Sequence, residues 1–191
     1  MPIDLEYRRK AVRSLTNKIG VYILCDLDEI PIYVGKSVDG IRARVRRHLT
    51  SARSDIIANR QIDVWEIAWV WAFPVADRSE IDALESRLFH YYNDRSVLMN
   101  GTIPTPAASE GVLPSPNQVV QVMSDAEIVE KKDASLRLPR QAERYSEIVS
   151  HFLAVKNSRQ IARAMQAHFE RLAKYHALML GAATTDEDSE D

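Results

Sequence analysis

The residues best equipped for chemistry lie in two short apolar runs, Ile19-Gly20-Val21-Tyr22-Ile23-Leu24 and Ile32-Tyr33-Val34-Gly35-Lys36. Each run carries one tyrosine, and the second ends on a lysine. The turn-prone stretch Asp26-Leu27-Asp28-Glu29-Ile30-Pro31 between them predicts a β-hairpin. With Tyr22 set opposite Tyr33 and the turn at Leu27-Asp28, opposed residues share a sheet face and both phenols point the same way. A phenol ionises near pH 10, so it acts as a base near neutrality only beside cations. Cations follow directly. Lys36, Arg42, Arg44, Arg46, Arg47, Arg53 and Arg60 are opposed only by Asp39 and Asp55 across residues 36–60. An imidazole titrates near neutrality unaided, which makes His48 the competing base. A guanidinium offers a fixed fork of donors that matches phosphate oxygens.

These side chains need elements to hold them. Ile41, Val45, Leu49 and Ala52 fall at helical spacing behind Asp39 as N-cap. Arg44 and His48, four apart, share one side of that helix, with Arg44 close to the apolar seam; Arg42 and Arg46 share another. Residues 63–73 read as a strand with Trp65, Ile67, Trp69, Trp71 and Phe73 on one face. Core under a helix is the reading for that stripe, ahead of a base-stacking platform. Ser79 caps a further helix through Tyr92, with Ile81, Leu84, Leu88 and Tyr91 as its buried stripe. Glu85 lies at the border of that stripe, as either a surface residue at the seam or a pre-positioned ligand. His90 has no partner at metal-ligand spacing and reads as structural. Asn100, before Gly101, fits a turn.

Gly20-Val21-Tyr22 followed by Tyr33-Val34-Gly35-Lys36 resembles the paired signature of the GIY-YIG nuclease family. The segment Asp39 to His48 resembles the helix after the hairpin in that family, with Arg44 and His48 at its arginine and histidine positions. Ala83-Leu84-Glu85-Ser86-Arg87-Leu88 resembles its acidic helix, and Asn100 falls at its closing asparagine. The resemblance covers about residues 18–101. It implies an α+β fold, a small domain with a three-stranded antiparallel sheet flanked by helices. It also implies a divalent-metal-dependent endonuclease that hydrolyses DNA by a one-metal mechanism. Glu85 is then the ligand of Mg²⁺ or Mn²⁺. Tyr22, Tyr33, Arg44, His48 and Glu85 are the expected catalytic set, and Lys36, Arg42, Arg46, Arg47 and Asn100 the expected phosphate-binding set. The alternative is a catalytically inactive nucleic-acid-binding or partner subunit on the same scaffold, with C-terminal helices as an interaction surface.

The bulk composition bounds these readings. A formal net charge of −2 over 191 residues argues against an overall basic nucleic-acid binder, so any such surface is local. One cysteine, Cys25, excludes an internal disulfide framework and a multi-cysteine zinc site. There is no apolar run of membrane-spanning length, and the acidic N-terminal stretch lacks a secretory h-region, so the expectation is cytoplasmic, with no membrane partner. Residues 1–17 read as a helical extension capped by Asp4. Its Arg8-Arg9-Lys10-Arg13 cluster reads as a solvated face ahead of a phosphate contact. Residues 102–117, with Pro104, Pro106, Pro114 and Pro116, read as a linker. Residues 118–181 read as a helical region. It holds a helix of about 140–156 and a second through Ile161 and Met179, with a homodimer through this αα-hairpin as one outcome. Residues 182–191 read as a disordered acidic tail.

Overall fold

The computed structural model describes residues 4–50, 60–107 and 112–187, with side chains described as far as Gly181. Ala52, Arg53, Asp55 and the final acids of the tail lie outside these residues. The fold is α+β, and the sheet has four strands rather than the three expected from sequence. These are β1 (Gly20–Cys25), β2 (Pro31–Ser37), β3 (Trp69–Pro74) and β4 (Gln118–Gln121), in the order β2-β1-β3-β4, antiparallel throughout. Gln118-Val119-Val120-Gln121 is four residues long and polar at both ends, too short to declare itself in sequence. Its partner, β3, also lies more than forty positions earlier, so no local signal announces the pairing.

The hairpin forms, but its register differs from the expected one. Tyr22 pairs with Gly35, and Tyr33 pairs with Leu24, with a bulge at Leu24/Cys25. The loop causes the shift. Asp26 Oδ1 accepts from the amides of Asp28 and Ile30, both at 2.9 Å, and Glu29 takes a φ of 62°, so the connection spans more residues than a two-residue turn. A slip of two residues leaves the facing of every side chain unchanged, so both phenols still share a face. β1 is buried along its whole length because helices cover both sides of the sheet. One face carries Tyr22, Leu24, Val70 and Ala72 against Val12, Ile41 and Val45. The other carries Val21, Ile23 and Phe73 against Ile81, Leu84, Leu88 and Phe89.

Among the described residues there are six α-helices. In chain order they are α1 (Leu5–Ser14), α2 (Ile41–Thr50), α3 (Glu80–Asn93), α4 (Asp125–Lys131), α5 (Ala134–Ala154) and α6 (Arg159–Glu187). Asp4 caps α1 as expected, accepting from the amides of Glu6 and Tyr7. Arg8, however, is neither solvated nor free for phosphate. It is fully buried, and its guanidinium donates to the carbonyls of Val64, Ile67 and Val122 at 3.0–3.3 Å. Burial lowers its pKa to about 10, against the opposing pull of Glu127 and Asp63. Two of those carbonyls, Val64 and Ile67, belong to a region expected to be strand. Val64–Glu66 is instead a 3₁₀ turn, and β3 begins only at Trp69. Trp71 packs edge-on against Tyr92 beneath α3, at 5.9 Å between centroids, as a core residue does.

α5 begins six residues earlier than the spacing alone indicates. It accommodates Pro139 in its second turn. Ile148, Ile161 and Ala164 pack α5 on α6, and Ala167 joins the core of the sheet. The inner faces of these helices are thus occupied within one chain, and homodimerisation through them is not supported. Arginines fix the pair to the sheet domain. Arg171 bonds the fully buried Asp26, and Arg137 bonds Asp28 and Glu66 at 2.6 and 3.1 Å. Arg140 grips Asp63 through two bonds of 2.8 and 3.1 Å. Arg144 donates to the Ile62 carbonyl at 2.9 Å. His168 donates from Nε2 to the Gln61 carbonyl at 3.0 Å, and burial with the nearby Arg144 charge holds its pKa down to about 4.

Deleting one partner of a buried ion set strands the other charge, at a cost of about 3–5 kcal/mol. Arg171→Met is therefore expected to lower unfolding free energy by about 3 kcal/mol in urea titrations; a change within error would show that Asp26 finds compensation elsewhere. His168 binds its proton more weakly folded than unfolded, so its contribution is present above pH 6.5 and fades as pH falls toward 4. Between pH 7 and pH 5 that loss amounts to about 2 kcal/mol. His168→Gln, which retains an amide donor for Gln61, is expected to flatten this part of the melting-temperature profile.

Candidate active site

Gly35 decides where the phenols lie. A Cβ built there would overlap the Tyr22 hydroxyl and lie 2.7 Å from Cε1 of Tyr33. Both rings therefore cross the β2 backbone where it carries no side chain. Their centroids are 6.3 Å apart. α2 lays His48 against both, at 5.8 Å from the Tyr22 ring and 6.2 Å from the Tyr33 ring. His48 and Tyr22 are buried, and Tyr22 Oη lies 2.7 Å from His48 Nε2. This is a proton-sharing distance between a phenol and an imidazole. Tyr33 is half-buried and is the phenol that reaches open space.

That space is a cleft of about 620 Å³ lined by Tyr33, Lys36, Asp82, Glu85, Asn100 and the loop that follows. Lys36 Nζ lies 2.8 Å from Glu85 Oε2 and 2.8 Å from Asp82 Oδ1. The bonds to Asp82 and Glu85 raise the Lys36 pKa, and the same lysine lowers that of Asp82. The glutamate side chain is 16% exposed, at the wall of the cleft. Asp82 is a member that the sequence reading does not include, although its place three residues before Glu85, on the same helix face, is a usable signal. The outer rim is held from α3. Ser86 Oγ donates to the Thr105 carbonyl at 2.7 Å, and His90 Nε2 donates to the Pro104 carbonyl at 2.9 Å. Gln61 and, from α6, Gln160 complete the lining. No local sequence signal points to either.

Asn100 meets the backbone of β2 rather than a second side chain. Its Oδ1 accepts from Val34 N at 3.0 Å and its Nδ2 donates to Val34 O at 2.6 Å. With Met99 N donating to Ile32 O at 2.8 Å, it continues the ladder beyond β2 and steadies the strand between Tyr33 and Gly35. Arg44 is half-buried on α2, one turn before His48. Arg42 donates from Nε to the Leu15 carbonyl at 2.6 Å, toward α1 and away from the cleft lining. Arg46 and Arg47 are exposed.

Among the described residues no three His, Cys, Asp or Glu side chains gather into a metal cage. The donors at the cleft are carboxylate oxygens, already arranged around one ammonium cation. An open polar wall with carboxylate oxygen suits a hard divalent ion that keeps several waters, so the residues present fit Mg²⁺ or Mn²⁺. No helix among the described residues is long and apolar enough to cross a membrane. None of the curated proteins matches the chain in sequence. The family model of the GIY-YIG catalytic domain matches residues 18–97, the segment that carries both phenols, Arg44, His48 and Glu85.

Proposed function

We propose that the chain is a divalent-metal-dependent endonuclease that hydrolyses DNA phosphodiester bonds in the cleft between β2 and α3. The observation that carries this reading is the 2.7 Å contact of Tyr22 with His48, packed beside the cleft-facing Tyr33. Hydrolysis requires a base for water, stabilisation of charge on the phosphoryl oxygens and relief of the leaving alkoxide. Tyr22 and His48 form the base couple behind Tyr33: with a water admitted past Tyr33 from the cleft, the buried phenol oxygen takes its proton as the phenol's own proton passes to Nε2. Tyr33 orients the water from the cleft side. Arg44 contributes fixed positive charge from α2. Lys36, kept protonated by its two carboxylate neighbours, presents a cation to the scissile phosphate. Glu85 would hold the divalent ion, which when bound supplies Lewis-acid stabilisation of the developing charge. Asn100 acts through β2, fixing the strand on which Tyr33 and Lys36 stand.

Glu85→Ala is expected to abolish Mg²⁺-dependent nicking of plasmid DNA, with melting temperature and metal-free DNA binding retained. Full cutting by this variant would remove Glu85 from the mechanism. Tyr22→Phe keeps the ring and deletes the proton path, so single-turnover cleavage at saturating DNA is expected to slow by about 10²-fold or more. An unchanged rate and pH profile would transfer the base role to another group.

A further inference from the structure

Positive charge in this acidic chain is gathered on one pair of helices. The start of α2 is held against the segment that follows α1, and Val12 and Leu15 share a core cluster with Ile41 and Val45. The amides of Ile41 and Arg42 donate to the carbonyls of Lys18 and Thr16 at 3.0 Å, and Arg42 Nε reaches the Leu15 carbonyl. Residues 4–18 and 39–50 expose Arg9, Lys10, Arg13, Lys18, Arg42, Arg46 and Arg47 and carry only three acids, Asp4, Glu6 and Asp39. Seven of the chain's 25 Lys and Arg residues are thus exposed on this unit, against three of its 27 acids. The remainder of the protein is correspondingly negative. Burial of Arg8 and Val12 fixes which face of α1 is turned inward, so Arg9, Lys10 and Arg13 fall on the outward arc.

Position gives this charge a use. The carboxy-terminal end of α2 brings His48 to Tyr33, which lines the cleft, and its amino-terminal end meets α1. Each helix has ten residues and spans about 15 Å. The exposed bases of α2 and, beyond them, of α1 therefore continue outward from the element that carries His48. Double-stranded DNA carries a negative charge about every 1.7 Å of its axis, and rows of Lys and Arg are what neutralise it.

We propose that α1, which lies outside the family-matched segment, extends α2 into one phosphate-binding surface that seats duplex DNA leading into the cleft. The inference rests on the nuclease reading and adds a docking role for Arg9, Lys10 and Arg13. These side chains recognise backbone phosphates, so they hold any sequence alike.

The test is binding of a fluorescent 30-base-pair duplex in EDTA, across a salt series. It compares the wild type with an Arg9→Gln/Lys10→Gln/Arg13→Gln triple variant and with Lys132→Gln/Lys156→Gln/Lys174→Gln, which makes the same charge change in the C-terminal region, on α6 and at the ends of α4 and α5. Melting temperature checks the fold of each. The first triple is expected to bind at least about tenfold more weakly at low salt. The slope of log affinity against log salt should fall by about 0.9 for each phosphate no longer neutralised. The second triple should bind as the wild type does. Equal affinity and slope in the first triple, or equal weakening in both, would overturn the assignment to α1. So would binding of anionic phosphatidylserine vesicles that the first triple loses while its duplex binding stays intact. A wild type that neither binds nor cuts duplex would instead bring down the nuclease reading, whereas wild-type cutting with an unaffected α1 triple would bring down this inference alone.

Discussion

The site depends on a missing side chain. Nothing larger than hydrogen fits at position 35, because Tyr22 lies directly across the ladder and its hydroxyl fills the space that a Cβ would take. Given that gap, the rest follows by packing. The two phenols lie over the β2 backbone, α2 closes over them with His48, and the Tyr22 hydroxyl, buried away from water, takes the imidazole as partner. An unpartnered hydroxyl at that depth would cost roughly 1–3 kcal/mol, so the contact serves folding whatever chemistry it supports. Gly20 plays a parallel part at the start of β1. There the Phe73 carbonyl and Pro74 Cα approach too closely for a side chain, which lets β1 and β3 lie flush where the sheet begins.

The helices that follow the family-matched segment are bound to it by charge more than by apolar packing. Asp26 shows how. One of its oxygens closes the hairpin loop through the amides of Asp28 and Ile30, and the other takes Arg171 of α6. Tyr175 adds its hydroxyl to the same set at 3.1 Å from Asp28. Buried ions of this kind contribute little net stability compared with apolar packing, yet they accept very few geometries. They therefore hold α6 in one place, with Gln160 at the wall of the cleft and Arg163 donating to the Asn100 carbonyl at 2.9 Å. The sheet domain and the C-terminal helices consequently share a cleft that neither builds alone.

The parts of this arrangement legible in the sequence are those encoded locally. Alternation and turn residues reveal the hairpin, helical spacing places Arg44 with His48, and the apolar stripe of α3 locates Glu85 at its border. What is illegible is set at long range. A four-residue strand acquires its identity only by meeting β3. Arg8 looks like surface charge until three carbonyls from distant turns converge on it. Arg42 belongs by composition to the basic cluster, but its hydrogen bond ties it to the end of α1. The hairpin register lies between these cases. The loop shifts it by two residues, but the period of two in a strand keeps both phenols on the face where chemistry needs them.

One electrostatic consequence joins the cleft to its proposed work. Its charged lining comprises Lys36 against Asp82 and Glu85, one cation against two anions, with the ammonium bonded to both. A phosphodiester arriving at such a wall meets an excess of negative charge, and the lysine that should greet it is already engaged. On the nuclease reading, Glu85 would hold a divalent ion whose two positive charges would offset that excess, and Lys36, sharing the same carboxylate, would then be available to the incoming phosphate. On the nuclease reading, then, the Lys36–Glu85 pair is the metal-free form of the site. The acids that leave this wall net negative would then be the same groups that make it receptive to a cation.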